Sequence, residues 1–330
     1  MSGLSMFMSS EHEDSLSSHA CPLDIAEKIG VMRSQETNTY KCRNYIDDND
    51  QSCSIAPPLS HCPQDELDMP VDRDCRVKMC EWCYQVTDFC KFKRETVAIS
   101  MSYLDRFLST SRTRALLALK SRKDYQLAAM TSLYIAIKLF EPMAMDTELL
   151  SAISHGCYTE SDIVEMEQEI LTALAWRVNG PTAHDFLSHI MALLPVSTYK
   201  YDDSTAMTLL DYSRFQVEIA VCDYDLALQK HSTVALAAIL NSAEGIDEKL
   251  LSRRARFDFF KCISDVTGLN PFSMEVNAVR QRLLDLFAQN TGYELQQVAN
   301  HTPVYSMKSR NSDLSAPASP VSVRSLTRLS

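Results

Sequence analysis

The chain has 330 residues, of which 45% are hydrophobic and 23% are charged, which is enough apolar material for one large or two medium domains. Only 7 residues are glycine. A glycine-poor chain has little material for tight hairpins or phosphate-binding loops, so the composition favours an all-helical fold. The glycine motifs of dinucleotide-binding and P-loop proteins do not occur, and no apolar run reaches the ~18 residues of a membrane span.

The formal net charge is −11, and it is unevenly distributed. Residues 1–70 contain 12 Asp and Glu but only 4 Lys and Arg, which gives this segment a net charge of −8 and leaves the rest at −3. Because nucleic-acid binding needs clustered cations, this distribution argues against a DNA or RNA partner.

The leader, residues 1–71, is acidic, rich in Ser, Asp and Asn, and without a sustained apolar period. We predict that it is mostly disordered, with a short helix near Leu23–Val31. Residues 291–330 form a Ser-rich tail that contains Ser319-Pro320 and is also predicted to be disordered.

Residues 72–290 have helical periodicity almost throughout. About five helical segments precede the break at Asn179-Gly180-Pro181 and about five follow it. The pattern therefore predicts two helical bundles, residues 72–180 and residues 181–290. The clearest predicted helices are Arg94–Ser109, Tyr125–Leu139, the helix begun by the Thr159–Asp162 capping pattern, Thr182–Leu194, Ser204–Cys222, Thr233–Asn241, Ser252–Thr267 and Phe272–Gln289.

Eleven cysteines are present, and four of them lie in one predicted helix. The spacing of Cys75, Cys80, Cys83 and Cys90 matches no familiar zinc template, so we interpret them as reduced, packed thiols. A looser set in the leader, which joins Cys42, Cys53, His61 and Cys62, is no better spaced. The sequence predicts no metal site and no cofactor.

Two charged residues interrupt apolar stripes. Lys138 lies at the end of the apolar helix, and Glu167 has apolar neighbours at i±3 and i±4. One interpretation is structural: a lysine stem extending to solvent near a helix C-terminus, and an intramolecular ion pair for the glutamate. The other is that both charges stand at the rim of an apolar groove and bind another molecule. The pattern alone does not choose between them.

The segments Cys75–Trp82 and Tyr103–Ser109 resemble the first box of the cyclin family. The five residues that mark this box in the family correspond to Arg76, Asp105, Leu127, Lys138 and Glu167. The resemblance is close over residues 72–180 and looser over residues 181–290, where Ser232–Ile239 is similar to a helix of a second box. The junction Trp176–Thr182 is similar to that of D-type cyclins. The resemblance implies two five-helix cyclin folds in tandem.

The resemblance also implies residue roles. Lys138 and Glu167 would bind main-chain groups of a kinase's regulatory helix, above an apolar floor of Ile135, Leu139, Leu171 and Trp176. Arg76 and Asp105 would form a structural ion pair between the first two helices of the box. The protein would then be a regulatory partner of a cyclin-dependent Ser/Thr kinase and not itself an enzyme.

The family's docking patch for Arg-x-Leu motifs on substrates and inhibitors is degenerate here. Cys75, Lys78 and Met79 stand where the family has apolar anchors, while Trp82 and Gln126 are retained. Because Lys78 would repel an incoming arginine, standard docking is in doubt. The run 109–123 is longer than usual in the family, and we interpret Arg112–Lys120 within it as a surface insertion.

The leading hypothesis is a G1/S-type regulatory cyclin that acts in the nucleus and cytoplasm and contacts neither membrane nor nucleic acid. The alternative within the same fold is a transcription-type cyclin-fold protein that acts in a transcription complex. A nucleic-acid-binding transcription factor with paired cyclin folds is disfavoured by the acidic charge. A catalytic role has no support in any grouping of nucleophile and base.

Overall fold

The computed structural model describes residues 21–47, 70–194 and 203–291, and these ranges contain α-helices and no β-strand. The all-α fold predicted from the composition is therefore confirmed for them. The helices are α1 (Pro22–Asn38), α2 (Arg73–Cys90), α3 (Glu95–Leu108), α4 (Thr113–Lys120), α5 (Arg122–Phe140), α6 (Thr147–Ile153), α7 (Glu160–Ala173), α8 (Ala183–Met191), α9 (Asp203–Cys222), α10 (Tyr224–Ala227), α11 (His231–Gly245), α12 (Arg253–Thr267) and α13 (Met274–Thr291).

The first bundle surrounds α5, which packs against α2, α3, α4 and α7. Twelve of the nineteen residues of α5 are buried, including Leu127, Leu133 and Ile137. The sequence predicts this because the helix is apolar or small on nearly every face, and such a helix is stable only when other helices cover it. The predicted capping box is also present at the start of α7, where Thr159 accepts a bond from the backbone N–H of Asp162.

One prediction for this bundle is wrong. Residues Arg112–Lys120 are not a surface insertion, because Thr113–Lys120 forms α4, which packs against α3 and α5. The side chains of Ala115, Ala118 and Leu119 are buried. Their spacing of i, i+3 and i+4 places them on one face of a helix. Three buried residues in so short a helix give a weak apolar periodicity, so the helix could not be recognised within a basic segment of the sequence.

The second bundle surrounds α11, which packs against α8, α9 and α13. The leader contributes to this bundle, because α1 packs against α8 and α12 and buries Ile25 and Ile29 in the second core. The predicted short helix at Leu23–Val31 is present but longer, and it is a folded part of the molecule. Two buried side chains give almost no periodic signal, so the docking of α1 on the bundle could not be seen from its sequence. Residues 1–20 and 48–69 of the leader, and residues 292–330 of the tail, lie outside the described residues.

The N-terminus of α11 is capped from a distance. Its N-cap residue, Lys230, provides no side-chain cap. Instead, the carboxylate of Glu36 in α1 accepts bonds from the backbone N–H and the hydroxyl of Ser232. A carboxylate suits the positive end of a helix dipole, so Glu36 stabilises both the start of α11 and the docking of α1.

A close approach fixes the link between the bundles. Gly180 packs so tightly against the ring of Tyr40 that an added Cβ would lie 2.6 Å from Cδ1 of that ring. The ring of Tyr40 also contacts the first bundle, since the guanidinium of Arg106 lies 4.6 Å from the ring centroid. The glycine in the predicted break is therefore required by the packing of the linker against Tyr40, which follows the end of α1.

Within the described part of the chain, no helix combines the length and the apolar character that crossing a membrane would need.

The second bundle contains a histidine whose protonation opposes folding. Burial lowers the pKa of His231, the first residue of α11, to about 4; Asp185 acts against this shift and His184 contributes to it. The unfolded histidine binds a proton below pH ~6.5, whereas the folded one does not until about pH 4. The free energy of unfolding should therefore fall as the pH decreases across this window.

Between pH 7 and pH 4.5, we expect the free energy of unfolding of His231→Gln to decrease by about 1–3 kcal/mol less than that of the original chain. Urea unfolding at the two pH values measures this difference. The matched control is His155→Asn, at an exposed turn residue with φ +53° that asparagine tolerates. Equal pH slopes for His231→Gln and the original chain would contradict this account.

Candidate functional site

The two charged residues singled out from the pattern meet on the surface of the first bundle. Lys138 lies in the last turn of α5 and Glu167 in the middle of α7, and their Nζ and Oε1 atoms are 3.0 Å apart. The side chain of Lys138 is 51% exposed and that of Glu167 is 14% exposed. The hydrogen bond to Glu167 raises the pKa of Lys138, although partial burial acts against it. The two groups are therefore not stranded in the free chain: each is the partner of the other.

This pairing does not use up either group. An ammonium group has three N–H donors, and a carboxylate has about four lone-pair positions. The contacts of Lys138 are the bond to Glu167 and the ring of Tyr134, whose centroid lies 5.4 Å from Nζ. Donors of Lys138 and lone pairs of Glu167 thus remain for another molecule, and the pair holds both side chains in position. A surface ion pair of this kind is worth only about 0–1 kcal/mol, so it can be exchanged for new bonds at small cost.

The predicted apolar floor divides into two classes. Leu139 and Trp176 are 49% and 69% exposed, so another protein can reach them. Ile135 and Leu171 belong to the core of the first bundle. The prediction that these two form a contact surface is therefore corrected: they support the site from beneath.

Other exposed apolar residues close to these in sequence were missed. Phe140 and Met143 follow Leu139 at the end of α5, and Val164 lies one turn before Glu167 on α7. Residues three positions apart lie next to each other on a helix surface, so the spacing of Val164 and Glu167 could have predicted that both belong to the same exposed surface. Apolar residues just beyond a helix end have no periodic signal.

Trp176 is held outward by an unusual backbone. Ala175 and Trp176 have φ values of +51° and +61°, so two successive non-glycine residues are in the left-handed region. The N–H of Trp176 donates to the carbonyl of Leu171 at 2.9 Å and closes the end of α7. Each such residue costs about 1–2 kcal/mol, and strain of this kind persists where the surrounding structure enforces it. Its result here is an indole that projects into solvent.

The pair Arg76–Asp105 is buried and bidentate. Nε and Nη2 of Arg76 donate to the two carboxylate oxygens of Asp105 at 2.9 and 2.8 Å, and the hydroxyl of Tyr45 donates to the same carboxylate at 2.8 Å. This is the ion pair between α2 and α3 that the family resemblance implies. Although burial acts to lower it, Asp105 holds the pKa of Arg76 well above its usual value.

The same arginine also reaches the second bundle, which the sequence did not predict. Nη1 of Arg76 donates to the carbonyl of Val221 at 2.8 Å and to that of Cys222 at 3.2 Å, at the end of α9. Arg76 therefore connects three helices and both bundles.

The docking patch has little apolar surface. Cys75, Met79 and Trp82 are all buried, and Gln126 accepts a hydrogen bond from the hydroxyl of Tyr158 at 3.3 Å. Lys78 forms an ion pair with Asp74 at 3.0 Å on the outside of α2. The prediction that Cys75, Met79 and Trp82 line a surface patch is corrected, since all three are part of the core of the first bundle.

Three of the four cysteines of α2 pack as predicted for small apolar side chains: Cys80 and Cys83 are fully buried and Cys75 nearly so. The fourth, Cys90, is only half-buried against the same core. In the described ranges, no group of three or more His, Cys, Asp or Glu side chains is arranged to hold a metal ion. Of the looser leader set, Cys53, His61 and Cys62 lie outside these ranges, and Cys42 lies 3.1 Å from the hydroxyl of Ser109.

Comparison with known proteins shows which family this chain resembles. Residues 29–179 match the family described as "Cyclin, N-terminal domain". A G1/S-specific cyclin-D1 of Danio rerio is 24% identical over 211 residues, which cover 63% of this chain and 68% of that protein. Residues 29–179 are therefore similar to the N-terminal domain of cyclins, and the matched region is slightly less than half of the chain. The matched region begins inside α1, so the family domain includes part of the folded leader.

Further comparisons with cyclins show how far the likeness extends. Cyclin-B1-1 of Oryza sativa subsp. japonica is 28% identical over 221 residues, 66% of this chain and 46% of that protein. The G1/S-specific cyclin-D1 of Mus musculus is 24% identical over 198 residues, so the alignment spans 62% of its length. Among solved structures, a viral cyclin from herpesvirus saimiri has a TM-score of 0.53 and 18% identity and covers 75% of this chain and 100% of that one. That structural likeness supports the cyclin fold.

Proposed function

We propose that this chain is a cyclin, a non-catalytic regulatory subunit that binds and activates a cyclin-dependent Ser/Thr kinase, with a role of the G1/S type. The observation that carries the proposal is the solvent-accessible Lys138–Glu167 pair on α5 and α7, inside the region that matches the cyclin N-terminal domain. The D1 cyclins that it resembles are named as G1/S-specific.

The chemistry of the pair fits one kind of partner surface. An ammonium group is only a donor and binds main-chain carbonyls, whereas a carboxylate is only an acceptor and binds main-chain N–H groups. A helix with unsatisfied groups at its ends offers both. On binding, Lys138 and Glu167 would exchange their mutual bond for charge-assisted bonds to that helix, which are stronger than bonds between neutral groups and fix its orientation.

The apolar side chains would supply most of the affinity. Leu139, which follows Lys138 on α5, and Trp176, which follows the end of α7, present their side chains to solvent. Tryptophan is enriched among the residues that dominate binding energy at interfaces. The cyclin would then act by binding the active kinase conformation more tightly than the inactive one, which shifts the population without any reaction on the cyclin itself.

The proposal is tested by mixing the purified chain with a panel of cyclin-dependent kinases and measuring phosphate transfer to histone or peptide. If about 1% of the free kinase is in the active conformation, a cyclin that strongly prefers this conformation makes almost all of it active. We therefore expect the rate of phosphate transfer by the cognate kinase to rise about 100-fold. A folded chain that stimulates no member of the panel would contradict the proposal. Selective stimulation of a transcriptional kinase would replace the G1/S assignment with the transcription-type one.

The division of the apolar residues into exposed and buried gives a further prediction. Trp176→Ala should weaken kinase binding by about 30-fold, the effect of losing a contact worth ~2 kcal/mol, and change the free energy of unfolding by less than ~0.5 kcal/mol. Ile135→Ala is the matched control, because this residue is in the core and its truncation should cost about 2–5 kcal/mol of stability.

Calorimetric titration and urea unfolding measure the two effects separately. Unchanged kinase affinity in folded Trp176→Ala would mean that the exposed indole does not touch the kinase.

A further inference from the structure

Two cysteines from different bundles meet at the seam beside Arg76. Cys80 lies in α2 of the first bundle, and Cys222 is the last residue of α9 in the second. Their sulfur atoms are 3.1 Å apart, within hydrogen-bond distance, although 142 positions separate them in the sequence. Both are free thiols.

The two thiols have unequal surroundings. Cys80 is fully buried, and burial raises its pKa well above the usual value. Cys222 is only half-buried, and its hydrogen-bond contact with Cys80 lowers its pKa, with a further contribution from the Arg76 guanidinium and an opposing one from burial. Cys222 is therefore the sulfur with more thiolate character, and it has a protonated thiol beside it.

We propose that Cys222 and Cys80 form a peroxide-sensitive dithiol that closes into a disulfide between the two bundles. In the first step the Cys222 thiolate attacks one oxygen of hydrogen peroxide: an S–O bond forms, the O–O bond breaks, and the hydroxide that leaves takes up a proton to become water. The sulfur is oxidised to a sulfenic acid and the peroxide is reduced.

In the second step the sulfur of Cys80 attacks the sulfenic sulfur. An S–S bond forms, the S–O bond breaks, and the departing hydroxyl takes the Cys80 proton as a second water molecule. The sum is two thiols and one hydrogen peroxide giving one disulfide and two water molecules, and a dithiol reductant reverses it by exchange.

The position of the bridge gives it a structural consequence. The carbonyl of Cys222 already accepts from Arg76, so the disulfide would add a covalent tie where a hydrogen bond joins the bundles. A bridge across a loop of this length restricts the unfolded chain strongly, which should raise the unfolding temperature by several degrees. It leaves the Lys138–Glu167 pair untouched, so the inference does not depend on the proposed function.

The test uses the full chain, first reduced and then treated with one equivalent of hydrogen peroxide. After the remaining thiols are blocked, combined trypsin and chymotrypsin digestion separates Met79–Trp82, which contains Cys80, from the peptides of Cys83 and Cys90. Mass spectrometry should then find Met79–Trp82 linked to the peptide of Cys222, two hydrogens lighter than the pair of free peptides and separated by dithiothreitol.

Two variants and a pH profile complete the experiment. Cys222→Ser should abolish the link, whereas Cys262→Ser, at a half-buried cysteine of α12, should retain it. In the original chain, iodoacetamide should alkylate Cys222 at a lower pH than Cys262, whose pKa is raised by burial. The proposal is overturned if peroxide carries Cys222 to the sulfinic acid while Cys80 stays a thiol, if Cys222 links to Cys83 instead, or if neither thiol reacts.

Discussion

Replacement of Arg76 by alanine is expected to lower the free energy of unfolding by about 3–5 kcal/mol, the effect of removing one partner from a buried ion pair. The variant would leave the carboxylate of Asp105 buried with only the hydroxyl of Tyr45 as a donor. It would also remove the bonds to the carbonyls of Val221 and Cys222 and so loosen the second bundle from the first.

The chain contains a matched control for this loss. Arg73 lies on the same helix and also forms ion pairs, with Asp47 at 2.9 Å and Asp225 at 2.7 Å, but its side chain is 45% exposed. Arg73→Ala should cost at most about 1 kcal/mol. Denaturant unfolding monitored by circular dichroism measures both variants. A loss from Arg76→Ala no larger than that from Arg73→Ala would contradict the structural role of the buried pair.

Replacement of Lys138 and Glu167 together is expected to abolish kinase stimulation while the chain stays folded. The pair is on the surface and contributes about 0–1 kcal/mol, so Lys138→Ala with Glu167→Ala should unfold almost as the original chain does. Each interfacial bond to a charged group that is lost should weaken binding by ~1.5–3 kcal/mol, so losing both should lower affinity by at least about 100-fold.

Lys78→Ala provides the matched control for this double variant. Lys78 forms an ion pair with Asp74 on α2, which carries neither residue of the Lys138–Glu167 pair. Its loss removes one surface charge without touching the Lys138–Glu167 pair, so stimulation should be retained. Equal loss of stimulation in Lys78→Ala and in the double variant would indicate a general charge effect and not a specific site.

Local patterns predicted the helices whose stability depends on a strong apolar face. The helix α5 is apolar on almost every side, and α7 begins with a capping box, so both could be placed from sequence. The helix α4 was missed and α1 was predicted too short, because each buries only two or three small or isolated apolar side chains and is held by the bundle on which it packs. Their stability is tertiary, and periodicity reports only local amphipathicity.

The site was predictable in part for a related reason. Charges inside apolar stripes identified Lys138 and Glu167, but the stripe gives no information about which partner satisfies each charge, and the structure shows that they satisfy each other. Similarly, a pattern that makes Ile135 apolar does not tell whether it faces a core or a groove. The contacts of Arg76 with Val221 and Cys222 join positions about 145 residues apart, which no local pattern can show.

The most direct test of the central claim is the dissociation constant of the cognate kinase, measured by calorimetric titration, for the original chain and for Lys138→Ala with Glu167→Ala. The account predicts that the double variant binds at least about 100-fold more weakly while its unfolding midpoint stays close to the original. If the two chains bind the kinase with the same dissociation constant, the Lys138–Glu167 pair is only a surface ion pair and the proposed site is wrong.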